Sequence, residues 1–566
     1  MSAASSSQSL LLGPSAEPVA QALEQLAVQR VIRRLWDRDA SLWSRDPTAQ
    51  ESIRRRLGWL DIIRVMGQHL EEVRAVVREV QQAGFTRALV LGMGGSGLFP
   101  EVCRLTFGVS PRHPDLVVLD TTDPAAIRAQ SRATPPAQQL LLIASKSGST
   151  IEVASLAAYF REALRAAGQD PGAHCLVITD AGTPLEAQAK AWKCRRIFAH
   201  APGAGAEVGG RFSAFTYFGL LPAALIGVDL DLLLARAEEM VQRCAPDRPI
   251  DENPAARLGA ALGALAQAGR DKLTILCAPQ LQGFGTWVEQ LVAESTGKQG
   301  QGIIPIHGEP LRSPDGYGPD RLFVELQLAG QLDPALERQV QALAAAGHPA
   351  IRIRWQDRYD VAGEAVKWFI ATTIAGRVLG VNPFDEPNVQ ESKDRTTALL
   401  ERFASTGTLG DDEPPRVTTA EAAVYGASAL PSGSLSACLA AFFQQRRPRD
   451  YVALLSFLPR TPALDRTLHD LRQRLGERLS APTALQFGPR YLHSTGQLFK
   501  GGPDAGLFVL LTSDEREDLP IPGQPYTFGT LKRAQALGDF QAMQQKGRRI
   551  LRVHLRGDPG QSIRHL

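Results

Sequence analysis

The chain is 566 residues long, carries 62 Lys and Arg against 59 Asp and Glu for a formal net charge of +3, and is 44% hydrophobic and 21% charged. That balance excludes a disordered chain and leaves no electrostatic footprint for nucleic acid, while the length predicts about two to four domains. No apolar run approaches the roughly 18 residues of a membrane helix, and the six scattered cysteines contain no CxxC pair, so no disulfide framework or structural zinc site is expected and a reducing compartment is.

Residues 1–80 read as a helical segment, because apolar positions in AVQRVIRRLWDRDASLW and LGWLDIIRVMGQHLEEVRAVVREVQQAG recur at three and four. The opening stretch MSAASSSQSLLLGPSAEP lacks a basic n-region and a long apolar core, so no signal peptide is read there and the expected location is the cytoplasm. Over 81–245 the pattern changes. RALVLG (87–92), DLVVLD (115–120), LLLIAS (140–145), CLVITD (175–180) and RRIFAH (195–200) read as buried strands, separated by helices at 97–108, 150–167 and 184–193. Continuous rather than alternating apolar strands between helices predict a parallel sheet covered on both faces, an α/β doubly wound domain.

After CAPDRPIDENP (244–254) the alternation restarts, predicting a second α/β domain over 246–404. It holds a helix at 255–268, the strand KLTILCAP (272–279), a helix at 283–295, strands GIIPIHG, RLFVELQL and AIRIRW, and long helices at 358–380 and 390–404. STGTLGDDEPPRVTT (405–419) reads as a linker. A C-terminal α/β domain follows over 420–566, with YVALLSFL, DAGLFVLLT and RRILRVHL as strands and helices near 461–478 and 529–545.

Five segments carry chemistry. In LVLGMGGSGLFPEV a strand ends at Gly92, and Gly94, Gly95, Ser96 and Gly97 lead into a helix, where bare N–H groups and the helix dipole suit an anion. The same spacing, with Asp120 ending the next strand, also fits a dinucleotide fingerprint, so a nicotinamide-dependent dehydrogenase is an open reading. In IASKSGSTIEVASL, Ser145, Lys146, Ser147, Gly148, Ser149 and Thr150 offer four hydroxyls and a cation at a helix N-terminus, which suits a phosphate monoester better than a single helix cap would require. A dehydrogenase would not need this second loop, whereas a sugar phosphate between adjacent strand ends would use both.

In VGGRFSAFTYFGLLPAALIG, Arg211 enters an apolar helix and points to an anionic partner, with a surface salt bridge as the plainer alternative. In WVEQLVAESTGKQGQG, Glu294 sits at a helix end beside a Gly-rich turn with Gln290 one turn earlier on the same face, the placing of a general base; alone it would be an ordinary surface acid. In FDEPNVQESKDRT the helical pattern breaks from Asn382 to Val389 and Lys393 starts the next helix.

Together, and in this order, these segments resemble phosphoglucose isomerase of the sugar isomerase domain superfamily, over roughly 80–405. ESIRRRLGWLDII, FGPRYLHSTGQLFKGGP and DLPIPGQPYTFGTLKRAQALGDFQA extend the resemblance to the isomerase half of transaldolase/phosphoglucose isomerase fusion proteins. The resemblance implies two sugar isomerase domains, interconversion of glucose 6-phosphate and fructose 6-phosphate without cofactor or metal, and a homodimer. It also implies roles. Gly95 and Ser96 contact the sugar, and Ser145, Lys146, Ser147 and Thr150 hold the phosphate. Arg211 stabilises the enediolate, Glu294 moves the proton between C2 and C1 with Gln290 nearby, and Lys393 lies near the ring oxygen. Two departures stand out. The ring-opening histidine that should follow Gly308-Glu309-Pro310 is missing from YGPDRLFVEL, where Asp320 stands near the expected place and His307 and His493 are alternative candidates; and Glu386 replaces a usual glutamine. A mannose 6-phosphate or amino sugar phosphate isomerase, and a non-catalytic sugar-phosphate-binding regulator, share these loops.

Overall fold

Where the apolar runs are continuous the chain forms strands buried on both faces, and the computed structural model describes residues 7–200, 207–410, 413–426 and 430–566. The chain divides into two compact units. One comprises Met1–Asp120, Thr134–His307 and Pro319–Asp385; the other comprises Thr121–Ala133, Gly308–Gly318 and Glu386–Leu566.

The first unit begins with an element that helical periodicity does not foresee: β1 (Ser7–Leu11) is a strand, antiparallel to β10 (Ala350–Trp355). Along Ser7–Leu10 exposed and half-buried residues alternate, as in a partly exposed edge strand. The following residues fold into the expected helices, among them Ala16–Val28 and Leu70–Gln82. β2 (Arg87–Gly92), β3 (Asp115–Leu119), β4 (Gln139–Ala144), β5 (Cys175–Asp180) and β6 (Arg196–His200) form a parallel sheet in the order β3-β2-β4-β5-β6. The chain moves from β2 outward to β3 and then returns to the other side of β2 to lay down β4. Strand order therefore reverses between β2 and β4, the position at which doubly wound sheets open a crevice beyond their carboxyl ends.

β7 (Lys272–Cys277), β8 (Ile304–His307), β9 (Arg321–Leu328) and β10 build a second sheet in the order β1-β10-β9-β7-β8, parallel except for β1. Helices Pro254–Gln267 and Asp360–Leu379 pack closely because Gly259 and Gly263 present no side chain: a Cβ on Gly259 would meet Ala371 O at 2.6 Å and one on Gly263 would meet Val378 Cβ at 2.6 Å. Lys367 and Glu364, both fully buried on the second of these helices, satisfy each other at 2.6 Å.

The second unit carries a third sheet in the order β11-β12-β16-β15-β13-β14, made of β11 (Val417–Thr418), β12 (Ala422–Tyr425), β13 (Tyr451–Ser456), β14 (Thr483–Phe487), β15 (Gly506–Ser513) and β16 (Arg549–Leu555). The four strands β16, β15, β13 and β14 run parallel, and β11 and β12 are antiparallel additions. Inside this unit Asp539, fully buried, accepts from Ser392 Oγ at 2.8 Å, Tyr491 Oη at 2.6 Å and Lys500 Nζ at 2.7 Å. Among the described residues, no helix is long and apolar enough to cross a membrane.

Candidate active site

Two loops leave the carboxyl ends of adjacent strands in the first sheet. β2 and β4 pair so that Gly92 lies opposite Ala144, so the glycine loop after one and the serine loop after the other start side by side. In the glycine loop Gly94 has φ of 54° and ψ of −129°, and the helix Gly95–Phe107 begins at the next residue. Gly95 has a steric reason to be glycine: a Cβ there would lie 1.9 Å from Gly210 O. The loop therefore seats the segment that carries Arg211. Ser96 is buried at the same helix start.

In the serine loop, Ser145 Oγ and Thr150 Oγ1 share a hydrogen bond at 3.0 Å, and Ser145 Oγ accepts from Gly148 N at 3.2 Å. Ser147 Oγ accepts from Ser149 N at 3.4 Å and from Ser149 Oγ at 3.1 Å. Gly148, with φ of +67°, makes the turn. Thr150 is the N-cap of the 16-residue helix Ile151–Ala166 and makes no side-chain cap bond, whereas Asn253, the N-cap of Pro254–Gln267, accepts from Ala255 N and Ala256 N at 3.1 and 3.0 Å. The first turn of Ile151–Ala166 thus keeps amide donors available for an anion in place of a capping oxygen. Lys146 is paired rather than waiting: its Nζ lies 2.6 Å from Asp180 Oδ2 and 3.8 Å from Glu207 Oε2, and both partners are partly exposed. Any anion drawing on Lys146 competes with Asp180 for it.

Arg211 starts not the apolar helix itself but the preceding 3₁₀ turn, Gly210–Phe215, and is almost fully buried. Its guanidinium engages four partners: Nε donates to Ser295 Oγ at 3.0 Å, Nη2 donates to Pro383 O at 2.8 Å and Asp385 O at 2.9 Å, and Nη1 lies 3.2 Å from Glu294 Oε1. Glu294 and Gln290 share one face of the helix Gln282–Thr296, and Gln290 Nε2 donates to Glu294 Oε2 at 3.2 Å. One carboxylate is therefore held between a guanidinium and an amide, with 11% of its side chain exposed. Lys298, buried just beyond the helix end, binds Asn382 O at 2.5 Å and Asp385 Oδ1 at 2.7 Å. Arg211 and Lys298 together fix the loop at 382–385 through its carbonyls. Sequence reasoning assigned no role to Ser295, Lys298 or Asp385; a lysine directly after a buried helix end was the one available signal.

Arg211, Gln290 and Glu294 come together within the first unit, and Gly95 meets the backbone next to Arg211. Lys393 lies exposed in the second unit, on the helix Val389–Thr406. Of the histidine substitutes, His307 ends β8 against the Glu294 helix: Thr286 Oγ1 is 3.5 Å from its Nδ1 and a Cβ on Gly285 would meet its Nε2 at 2.4 Å. Asp320 is a buried partner of Lys272 at 3.5 Å, preceding β9 at the amino ends of the strands, away from the loops that follow them. His493 closes a short turn, Arg490–His493, in the second unit.

Residues 61–303 match the family model for phosphoglucose isomerase, a span that holds both loops, Arg211 and Glu294. A relative from Natronomonas pharaonis named "Probable glucose-6-phosphate isomerase" is 30% identical over 350 residues, covering 55% of this chain and 78% of its own length. A glucose-6-phosphate isomerase from Rubrobacter xylanophilus is 29% identical over 388 residues, covering 59% of this chain and 87% of its own. Among solved structures, a hypothetical protein from Thermus thermophilus superposes with a TM-score of 0.59 at 25% identity, covering 70% of this chain and all of the other. A glucose-6-phosphate isomerase from Chlamydia trachomatis shares the fold with a TM-score of 0.55 at 15% identity, covering 71% of this chain and 89% of its own. With that identity sustained over most of a relative's length, and the family model spanning the carboxylate and its arginine, the chain belongs to the phosphoglucose isomerase family.

Proposed function

We propose that the chain is an aldose–ketose isomerase that interconverts D-glucose 6-phosphate and D-fructose 6-phosphate through a cis-enediolate, with Glu294 as the base. The observation that carries this reading is the buried Glu294 carboxylate held between Arg211 and Gln290, with the glycine loop seated against the backbone next to Arg211.

In the open-chain aldose, Glu294 takes the proton from C2 while the C2–H electron pair forms the C1–C2 double bond and charge moves onto O1. Arg211, fixed by Ser295, Pro383 and Asp385, needs no rearrangement to face that charge, which is the condition under which a cation contributes most to a transition state. The C1–C2 electron pair then takes the proton back from Glu294 at C1, the O2–H pair forms the C2=O2 carbonyl, and the O2 proton passes to the O1 oxyanion, giving the ketose. Ser145, Ser147, Thr150 and the first turn of the following helix take the phosphate, with Lys146 exchanging Asp180 for it; Gly95 and Ser96 border the sugar. Lys393 serves the ring oxygen, and a homodimer is part of the same reading.

A coupled assay on the purified protein, without added metal, follows fructose 6-phosphate to glucose 6-phosphate. Mannose 6-phosphate and glucosamine 6-phosphate are run alongside. Turnover of the first substrate in preference to the others supports the reading, and absence of turnover with all three refutes it.

A further inference from the structure

Cys175 and Cys194 stand apart from the other four cysteines. Cys103, Cys244 and Cys277 are buried among apolar side chains, and burial pushes each thiol up to about 12. Cys438 is buried and shifted the same way. Cys194 is partly exposed and precedes Arg195, whose N donates to the carbonyl of Cys175, which is buried at the first position of β5.

The backbone brings them together. β5 and β6 are parallel with Leu176 opposite Arg196, and Arg195 N donates to Cys175 O at 3.0 Å, so Cys194 arrives at the amino end of β5 one residue earlier. Gly172 makes room for that approach: a Cβ there would lie 2.6 Å from both Trp192 O and Lys193 O. Lys193 turns the chain with φ of 53°. A cation completes the cluster. Arg161 is buried, its Nη1 lies 3.8 Å from Cys175 Sγ, and its guanidinium carbon sits 4.1 Å from the centroid of the Trp192 ring.

This is the environment that makes one thiol of a pair reactive and the other its resolving partner. Donation from Cys175 holds the Cys194 thiol below its ordinary range, helped by Arg161 and opposed by burial, while the same hydrogen bond and burial raise Cys175.

We propose that Cys194 and Cys175 form an oxidative modification site at which a hydroperoxide converts the pair to an intrachain disulfide. The Cys194 thiolate attacks a peroxide oxygen, the O–O bond breaks, and hydroxide or alkoxide leaves, taking up from solvent the proton that the Cys194 thiol released on ionising, as Cys194 becomes a sulfenic acid, its sulfur oxidised by two electrons. The Cys175 thiol then attacks that sulfur; the S–S bond forms, the S–O bond breaks, and hydroxide leaves with the Cys175 proton as a second water. The bond pins the edge strand β6 to β5 at their amino ends, opposite the serine loop, so turnover is expected to stay within about twofold while the melting temperature rises by about 5 °C.

The test treats the full chain with hydrogen peroxide, caps remaining thiols, and maps peptides by mass spectrometry with and without reductant. The proposal predicts a reducible cross-link between the peptides of Cys175 and Cys194. It also predicts a dimedone-trapped sulfenic acid on Cys194 in Cys175→Ala, and oxidation at least about tenfold slower in Cys194→Ser. Circular dichroism checks that each variant is folded. If wild-type Cys194 stays free, or oxidises beyond sulfenic acid with no cross-link, the proposal is wrong; the same holds if cross-links join other cysteines as readily.

Discussion

Replacing Arg211 by methionine removes the cation 3.2 Å from Glu294 and the hydrogen bonds donated to Ser295, Pro383 and Asp385, all inside the first unit. Breaking a buried ion pair from one side costs about 3–5 kcal/mol, because the remaining charge is stranded, and each lost charged hydrogen bond adds about 1.5–3 kcal/mol. These losses overlap, since one side chain makes all of them, and the expected total is about 4–6 kcal/mol. Adding Glu294→Gln takes away the stranded charge, so the double variant should recover about 1–3 kcal/mol relative to the sum of the single changes. Urea unfolding of the four proteins, followed by circular dichroism and by the fluorescence of the buried Trp59, Trp287 and Trp368, reads the coupling. Effects that add within about 0.5 kcal/mol would show that Arg211 and Glu294 do not act as a pair.

Three further outcomes follow from the same geometry. Ser147→Ala with Thr150→Val removes hydroxyls from the serine loop but no cap bond, so KM for the sugar phosphate should rise at least about tenfold with little change in melting temperature. A matching fall in stability without a KM effect would return the loop to a structural role. Gly95→Ala places a Cβ against Gly210 O and must displace the Arg211 segment; a loss of about 2 kcal/mol or more and a collapse of turnover are expected, read by thermal unfolding and the isomerase assay. Asp360 has its carboxyl pushed up to about 6, chiefly by burial, with Gln356 N and Arg236 partly offsetting it. An acid whose folded pKa exceeds its unfolded value of about 4 takes up a proton on folding, so stability should fall as pH rises from about 4 to 6, by about 2–3 kcal/mol. Unfolding measured across that window should lose this component in Asp360→Asn.

Some of this was written in the chain and some was not. CLVITD matches β5 because a buried parallel strand is carried by a continuous apolar run, here Cys175–Ile178, and ends within two residues of it, at Asp180. SQSLL hides β1, because an edge strand paired on one side needs few apolar residues, and its neighbours were helical. TALQF, which forms β14, is equally short and mixed. In the site, the i, i+4 spacing of Gln290 and Glu294 predicts their shared face, and the helix delivers it. Arg211 lies far upstream of Glu294, and no local pattern joins them; only the resemblance put them together. The resemblance gives Gly95 a ligand contact, yet its closest constraint is the Gly210 carbonyl, a contact that exists only after two loops meet. The carbonyls of Pro383 and Asp385 that anchor Arg211 are likewise invisible to side-chain pattern, because every residue carries one.

Hydrogen exchange at the reacting carbons tests the proton shuttle most directly. With fructose 6-phosphate in deuterated water, proton magnetic resonance should show deuterium entering C1 of the ketose and C2 of the aldose with the wild-type chain. Glu294→Gln should slow both exchange and isomerisation at least about a hundredfold while the sugar phosphate still binds within about threefold. Deuterium entering at an undiminished rate in that variant would contradict the account, since another group would then be moving the proton.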